Sequence, residues 1–210
     1  RMTRAAAVPI ATSWVQADVA AALGLVRERK GGDTPISFTT LVLAAVGRAL
    51  ARHPELAAEV DFAEKRLRLP ETVNVGVAVA SDRGLIVPVV RDVVSTPFAE
   101  LAARLKDVID QARGGSKDKA LFTGGHFTVT NIALGGSEGG SPIMNLPQIA
   151  ILGVGSAREA PVVVDGEVRV SKLSQLTVAL DHRILDGITV AHFLTAVRDS
   201  LQDPSSLLVP

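Results

Sequence analysis

A mixed α/β fold, an α+β sandwich of helices on a sheet, is predicted by three features of the sequence. Val73, Val75, Val77 and Val79 alternate strictly with Asn74, Gly76, Ala78 and Ala80, the period-two mark of a strand. Phe38, Leu41, Val42, Ala45, Val46, Ala49 and Leu50 recur at helical spacing across residues 37–52, an amphipathic helix that His53-Pro54 ends. The remaining strand signals are too scattered for a regular βαβ repeat.

The elements follow in order. Residues 11–19 read as a strand with Val15, Ala17 and Val19 on one face, and residues 20–29 as a short helix stopped by Gly31-Gly32. The small residues opposite the valines of 73–79 call for a close neighbour. Ser81-Asp82-Arg83-Gly84 reads as a turn, from which residues 85–90 return as a strand. Pro88 lacks an N–H and puts that strand at an edge or a bulge. Thr96 and Pro97 read as N-cap and first-turn proline of a helix reaching about Arg113, with Phe98, Leu101, Leu105, Val108 and Ile109 inward. Gly114-Gly115-Ser116 opens a polar loop. Residues 127–130 form a strand with Thr128 and Thr130 on one face, and residues 149–154 a buried strand. Residues 162–170 form a hairpin around Asp165-Gly166. Leu176, Val178 and Leu180 alternate in a further strand that runs into Asp181-His182-Arg183. A last helix turns Val190, Phe193, Leu194, Val197 and Leu201 inward and stops at Pro204; the apolar Leu207-Leu208-Val209 behind it is a docking knob or a frayed end. With no repeat and no linker, residues 1–210 read as a single domain.

Composition narrows the function. The 210 residues carry 22 basic and 22 acidic side chains, a formal net charge of zero. That excludes a nucleic-acid or anionic-membrane binder driven by bulk charge. There is no cysteine, hence no disulfide framework, thiolate metal site or cysteine nucleophile, and a reducing compartment fits. No apolar run approaches the roughly 20 residues of a membrane span, and Arg1-Met2-Thr3-Arg4 lacks a secretory apolar stretch. A start at Arg1 leads us to expect a piece of a longer protein.

Four histidines are candidates for chemistry. His53, before a proline, reads as a helix-end dipole partner, His192 as helix packing and His126 as a half-exposed strand residue. His182 differs. It follows an apolar strand inside Asp181-His182-Arg183-Ile184-Leu185-Asp186-Gly187, where catalytic groups are commonly presented. No second histidine stands at metal-ligand spacing, so no metal site is expected. The spacing leaves two readings: a general base, or a structural Asp–His–Arg network. Gly135 to Gly140 lacks the lysine of a phosphate loop and reads as a turn, and no nucleophile elbow is present.

Several segments together resemble one family, the dihydrolipoamide acyltransferase (E2) catalytic domain of 2-oxo acid dehydrogenase complexes. Asp181 to Gly187 resembles its D-H-R-x-x-D-G signature. Phe127-Thr128-Val129-Thr130-Asn131 resembles F-T-[IV]-[ST]-N. Pro142 to Pro147 followed by Ala150 to Gly155 resembles P-I-[IV]-N-x-P and A-I-L-G-[VI]-G. Asn74 to Val79 with Gly84 to Val89 resembles N-[IV]-G-[VI]-A-V and G-L-[IV]-V-P-V, and Leu201 to Leu208 resembles the closing L-x-D-P-x-x-L-L. The matches run in family order from about Pro9 to the end. The resemblance implies a chloramphenicol-acetyltransferase-like fold, a mixed sheet flanked by helices and trimer-forming. It implies acyl transfer between the thiols of dihydrolipoamide and coenzyme A, in a channel between subunits. His182 is implied as general base, Thr130 as oxyanion donor, and Asp186 as a supporting acid, through an arginine ion pair or as a helix cap. Arg183, which reads as a loop-positioning charge, is placed with Leu85, Pro88 and Asn131 toward the coenzyme A side, and the glycine loop near the channel. The implied partners are a homotrimer, with a cubic or dodecahedral core of roughly 24 or 60 subunits as the larger alternative, and the E1 and E3 enzymes of the complex. The implied location is cytoplasmic, or the mitochondrial matrix in a eukaryote. Lipoyl and subunit-binding domains would lie before Arg1.

The chain departs from the pattern. Ile10 stands where I-P-H has its histidine, Pro54 to Ala58 lacks the usual asparagine, and residues 132–141 are glycine- and serine-rich where relatives tend to be aromatic. A chloramphenicol-acetyltransferase-like transfer to a small alcohol or amine, and an inactive scaffold, are the alternatives. Asp181 rather than histidine before His182 disfavours the first, and the joint presence of Thr130, His182 and Asp186 the second. The acyl group, whether acetyl, succinyl or branched-chain, is not readable.

Overall fold

The computed structural model describes residues 8–30, 36–81, 84–133 and 136–208. Gly31-Gly32, Asp82-Arg83, Gly135 and Val209, to which the sequence assigned a stop, a turn, part of a loop and part of the tail, lie outside them.

The described residues form ten strands and four helices: β1 (Ile10–Asp18), α1 (Ala20–Glu28), α2 (Phe38–Arg52), β2 (Glu59–Asp61), β3 (Arg66–Arg68), β4 (Val75–Ser81), β5 (Gly84–Ile86), β6 (Val89–Val90), α3 (Phe98–Arg113), β7 (Phe127–Asn131), β8 (Ala150–Val154), β9 (Arg158–Val164), β10 (Glu167–Asp181) and α4 (Gly187–Gln202). The main sheet is mixed, in the order β1-β10-β8-β7-β4-β5, with β6 also on β4 and β9 also on β10. β4, β7 and β8 are parallel neighbours, while β10 is antiparallel to both β8 and β1.

Alternation decides which face is buried. Val15, Ala17, Val75, Val77, Val79, Phe127, Val129, Leu152, Val154, Leu176, Val178 and Leu180 join Leu41, Val46 and Leu50 of α2 and Phe193, Leu194 and Val197 of α4 in one core. The other face carries small and polar residues. A Cβ on Gly76 would meet Val87 at 2.8 Å and the Thr128 hydroxyl at 3.1 Å, which is the close neighbour that its position calls for. Residues 136–148 cross part of this second face: Pro142 sits over Gly153, and Met144 packs on Ile151 and Ala179. Thr128 donates from its buried hydroxyl to Gln148 Oε1 at 2.5 Å.

Local signals are satisfied where the chain is short-ranged. Ser37 and Thr40 form a reciprocal capping box on α2. Asp165 (φ 52°) and Gly166 (φ 81°) make the two-residue hairpin turn, a conformation suited to this pair.

Three expectations are corrected. Thr96 does not cap α3: the N-cap is Pro97, and the Thr96 hydroxyl instead donates to the Asp92 carbonyl at 2.6 Å. Residues 85–90 are not one strand. They break into β5 and β6 around Val87-Pro88, because a residue without an N–H interrupts the ladder. The hairpin arm and the strand through Leu176–Leu180 are one 15-residue strand, β10. The β2–β3 hairpin is additional. At Leu208 the tail is packed, not frayed: Leu207 is buried and Arg48 Nη2 donates to the Ser206 carbonyl at 2.5 Å.

One half-buried histidine ties loops together. His126 Nδ1 accepts from the Asn74 N–H at 3.1 Å, so that nitrogen carries no hydrogen, and Nε2 lies 3.7 Å from Glu59 Oε1. Burial lowers the His126 pKa below its ordinary value of 6.5, with Arg91 adding to the effect and Glu59 opposing it. The unfolded chain therefore takes up this proton more readily than the folded one. The stabilisation is complete above about pH 6.5 and is lost as pH falls through the folded-state value. Calorimetric melting should show a midpoint that drops between about pH 7 and pH 5, with a shallower drop in His126→Gln. Equal slopes in the two proteins would refute this.

Candidate active site

β10 delivers the histidine motif. Asp181 ends the strand, its N–H donating to the Ile149 carbonyl at 2.9 Å, and the His182 N–H donates to the Pro9 carbonyl at 3.0 Å. The chain then turns tightly, with the N–H groups of Ile184 and Leu185 both donating to the Asp181 carbonyl at 3.1 and 3.0 Å. His182 Nδ1 lies 3.0 Å from the Leu185 carbonyl oxygen. A carbonyl can only accept, so Nδ1 is the protonated nitrogen and Nε2 keeps its lone pair. The ring is exposed in the protomer, so Nε2 can meet a substrate.

Asp181 is buried, and its carboxylate accepts from Arg183 at three points: backbone N at 3.1 Å, Nε at 2.9 Å and Nη2 at 2.6 Å. Burial pushes the Asp181 pKa upward, but the Arg183 bonds and charge outweigh it and hold the carboxyl below its ordinary range. A structural Asp–Arg pair thus brackets the exposed His182. The other face of the guanidinium lies over the Phe62 ring, 4.4 Å from its centroid.

Asp186 is the N-cap of α4, with Oδ1 accepting from the Thr189 N–H at 2.8 Å. Bonds from the Thr189 backbone and hydroxyl, then the Ile188 N–H and the His182 charge, keep its carboxyl below the ordinary range. Among the described residues no arginine pairs with Asp186, while Arg183 forms its loop-positioning charge pair with Asp181. Asp186→Ala should lower the melting midpoint by a few degrees or so, whereas Asp186→Asn keeps the cap and the midpoint. Thermal melts of both variants check this.

Thr130 sits on the second sheet face, half-buried, and its hydroxyl has no partner among the described residues. It pairs with Gly153 on β8, which pairs with Thr177 on β10. His182 lies five residues beyond Thr177. Strand geometry therefore puts the two side chains roughly 17 Å apart along β10 and about 10 Å apart across the sheet. One protomer does not bring them together.

Leu85 and Asn131 are brought together, in a cavity of about 210 Å3 that Val77, Val129 and Arg113 also line. Pro88 is buried outside that lining, and its carbonyl accepts from the Val77 N–H. Arg183 is engaged by Asp181 and Phe62 as described. A slightly larger cleft of about 240 Å3, between α2, α3 and Leu207, includes none of these residues. Among the described residues no group of three or more acidic or histidine side chains could hold a metal ion, and no helix is long and apolar enough to cross a membrane. Sequence reasoning missed Phe62, the Pro9 carbonyl and the Leu185 carbonyl. Backbone carbonyls leave no residue-type signal. Phe62 is one of only seven phenylalanine and tryptophan residues, all the aromatics of the FWY set that the chain has.

Residues 1–209 match the model of the family described as 2-oxoacid dehydrogenases acyltransferase (catalytic domain). A dihydrolipoyllysine-residue succinyltransferase component of the 2-oxoglutarate dehydrogenase complex from Bartonella vinsonii subsp. berkhoffii is 35% identical over 204 residues, covering 94% of this chain and 49% of that protein. The chain spans about half the length of the curated relatives it matches. A solved structure of the dihydrolipoamide acetyltransferase of Azotobacter vinelandii superposes with a TM-score of 0.89 at 26% identity, covering 99% of this chain and 88% of that one. It belongs to work on a serine, a histidine 52 positions later and an asparagine four further on in the catalytic mechanism of that enzyme. The cubic core of a pyruvate dehydrogenase multienzyme complex superposes with a TM-score of 0.88 at 27% identity, covering 99% and 88%. Chloramphenicol acetyltransferase, at 15% identity and a TM-score of 0.61 over 95% of this chain and 92% of that one, shares the fold alone.

Proposed function

The chain belongs to the family of 2-oxoacid dehydrogenase acyltransferase catalytic domains, and from that premise we propose that it moves an acyl group between the thiols of dihydrolipoamide and coenzyme A. The observation that carries this is the exposed His182, with Nδ1 pinned to the Leu185 carbonyl so that Nε2 is the nitrogen left for a substrate. Residues 1–210 act as one catalytic domain. Its lipoyl group comes from a separate domain, its partners are the E1 and E3 enzymes of a 2-oxo acid dehydrogenase complex, and its compartment is the cytoplasm.

A free thiol has a pKa near 8.5, so only a few per cent is thiolate at neutral pH. Nε2 of His182 takes the proton as the sulfur attacks the thioester carbonyl carbon. The new C–S bond leaves an oxyanion, to which the Thr130 hydroxyl donates. Collapse breaks the old C–S bond, and the departing thiolate takes the proton back from the imidazolium. Asp186 supports the loop behind His182 as the N-cap of α4. Thr130, His182 and Asp186 stand at spacings of 52 and four residues, those of the serine, histidine and asparagine of the Azotobacter enzyme. The residues suit thiol substrates: an exposed histidine, a hydroxyl with no partner among the described residues, and a mainly apolar cavity at Leu85 and Asn131 for the coenzyme A side.

The strand register separates Thr130 from His182, so the catalytic set closes only between two copies of the chain. A ring of protomers in head-to-tail contact supplies that pairing, and a trimer is the smallest ring beyond a pair. Steady-state transfer from acetyl-CoA and from succinyl-CoA to dihydrolipoamide tests the activity and reports the acyl preference. Sizing of the purified protein tests the assembly. A monomer that turns over would overturn the shared site.

A further inference from the structure

We infer that Phe62, on the β2–β3 hairpin, is a positioning residue for His182, acting through Arg183; this rests on the proposed role of His182 as base. The catalytic loop is closed by a side-chain fork. Asp181 and Arg183 flank His182, and their two charge-assisted bonds of 2.9 and 2.6 Å lie between groups two residues apart. Asp181 is 2% exposed, so its carboxylate depends on that fork. The Arg183 side chain is 44% exposed and would exchange the fork for water if nothing held its outer face. The Phe62 ring, 4.4 Å from Cζ, is what lies there.

The hairpin has little else to explain it. It is a two-stranded sheet of its own, outside the main sheet, with Phe62 at 53% and Leu67 at 54% exposure. Yet it is fixed in place. Val60 packs on the main core, Glu59 faces His126, and Asp61 Oδ1 accepts from the Ala63 and Glu64 N–H groups at 3.0 Å each. A fixed hairpin that presents an aromatic face to the arginine beside the base is a brace for the catalytic loop. Arginine suits it better than lysine, because the flat guanidinium stacks on the ring while its edge binds Asp181.

The test compares Phe62→Leu, which keeps apolar bulk without a ring, with Phe62→Tyr, which keeps the ring face. With dihydrolipoamide and whichever of acetyl-CoA and succinyl-CoA the wild type uses, Phe62→Leu should lower kcat about three- to tenfold with KM within about twofold, and Phe62→Tyr should restore kcat. Hydrogen exchange read by mass spectrometry should quicken over residues 182–185 in the leucine variant by a similar factor, with the melting midpoint unchanged. Wild-type kcat and exchange in Phe62→Leu would overturn the inference, as would equal defects in the leucine and tyrosine variants. His182→Ala is assayed in parallel. If it keeps full turnover, the base assignment fails, and the exchange data still decide whether Phe62 braces the loop.

Discussion

Replacing His182 with alanine is expected to lower acyl transfer about 10²- to 10⁴-fold while leaving assembly and melting unchanged. The rate loss follows from the proton. Without Nε2 the attacking sulfur must ionise unaided, and near neutral pH only the small thiolate fraction is reactive. Stability is spared for a geometric reason. The residue is exposed, and among the described residues its one side-chain bond goes to the Leu185 carbonyl. The bonds that shape the loop belong to the His182 backbone N–H, to Asp181 and to Arg183, all of which alanine keeps. The same argument gives a second observable. The defect should shrink as pH rises toward about 8.5, because the substrate thiol then supplies its own thiolate. Turnover within a few-fold of wild type at pH 7, or a defect independent of pH, would show that another group takes the proton.

The exposed His182 loop was legible because its local surroundings are written in consecutive residues. An apolar alternation ending in Asp-His-Arg can be read as a strand that hands polar groups to a loop. Asp165-Gly166 and the Ser37–Thr40 box were similarly local, each needing only its own turn. What escaped has a physical cause in each case. The β2 and β3 strands are three residues long, too short for alternation to show, and their hairpin is held by contacts to distant residues such as His126. Thr96 has the composition of a cap, but the Asp92 carbonyl competes for its hydroxyl, and Pro97 takes the boundary. The charge pair of Arg183 was anticipated without its acid, since nothing in D-H-R-x-x-D-G tells which carboxylate the strand end will bury; it is Asp181. The distance from Thr130 to His182 is invisible to motif reading, because it depends on strand order and register.

That distance sets the second large effect. Thr130→Ala is expected to lower kcat about 10²- to 10³-fold, the loss typical of one oxyanion donor, while Thr130→Ser keeps most of the rate. The hydroxyl has no partner among the described residues, so removing it leaves no described buried group unsatisfied and the fold should melt as before. The sharper experiment mixes the two dead variants. If His182 of one copy works with Thr130 of its neighbour, chains carrying His182→Ala and chains carrying Thr130→Ala, unfolded and refolded together in equal amounts, rebuild intact sites wherever a histidine-bearing chain meets a threonine-bearing one. Random assembly into a ring makes about one site in four intact, so the mixture should recover roughly a quarter of wild-type turnover from two parents that each have almost none. Sites contained within single protomers would give no recovery at all. A mixture no more active than its parents, with hetero-assembly verified by mass, would place both residues of each working site in one chain and contradict the separation that the β7–β8–β10 register imposes.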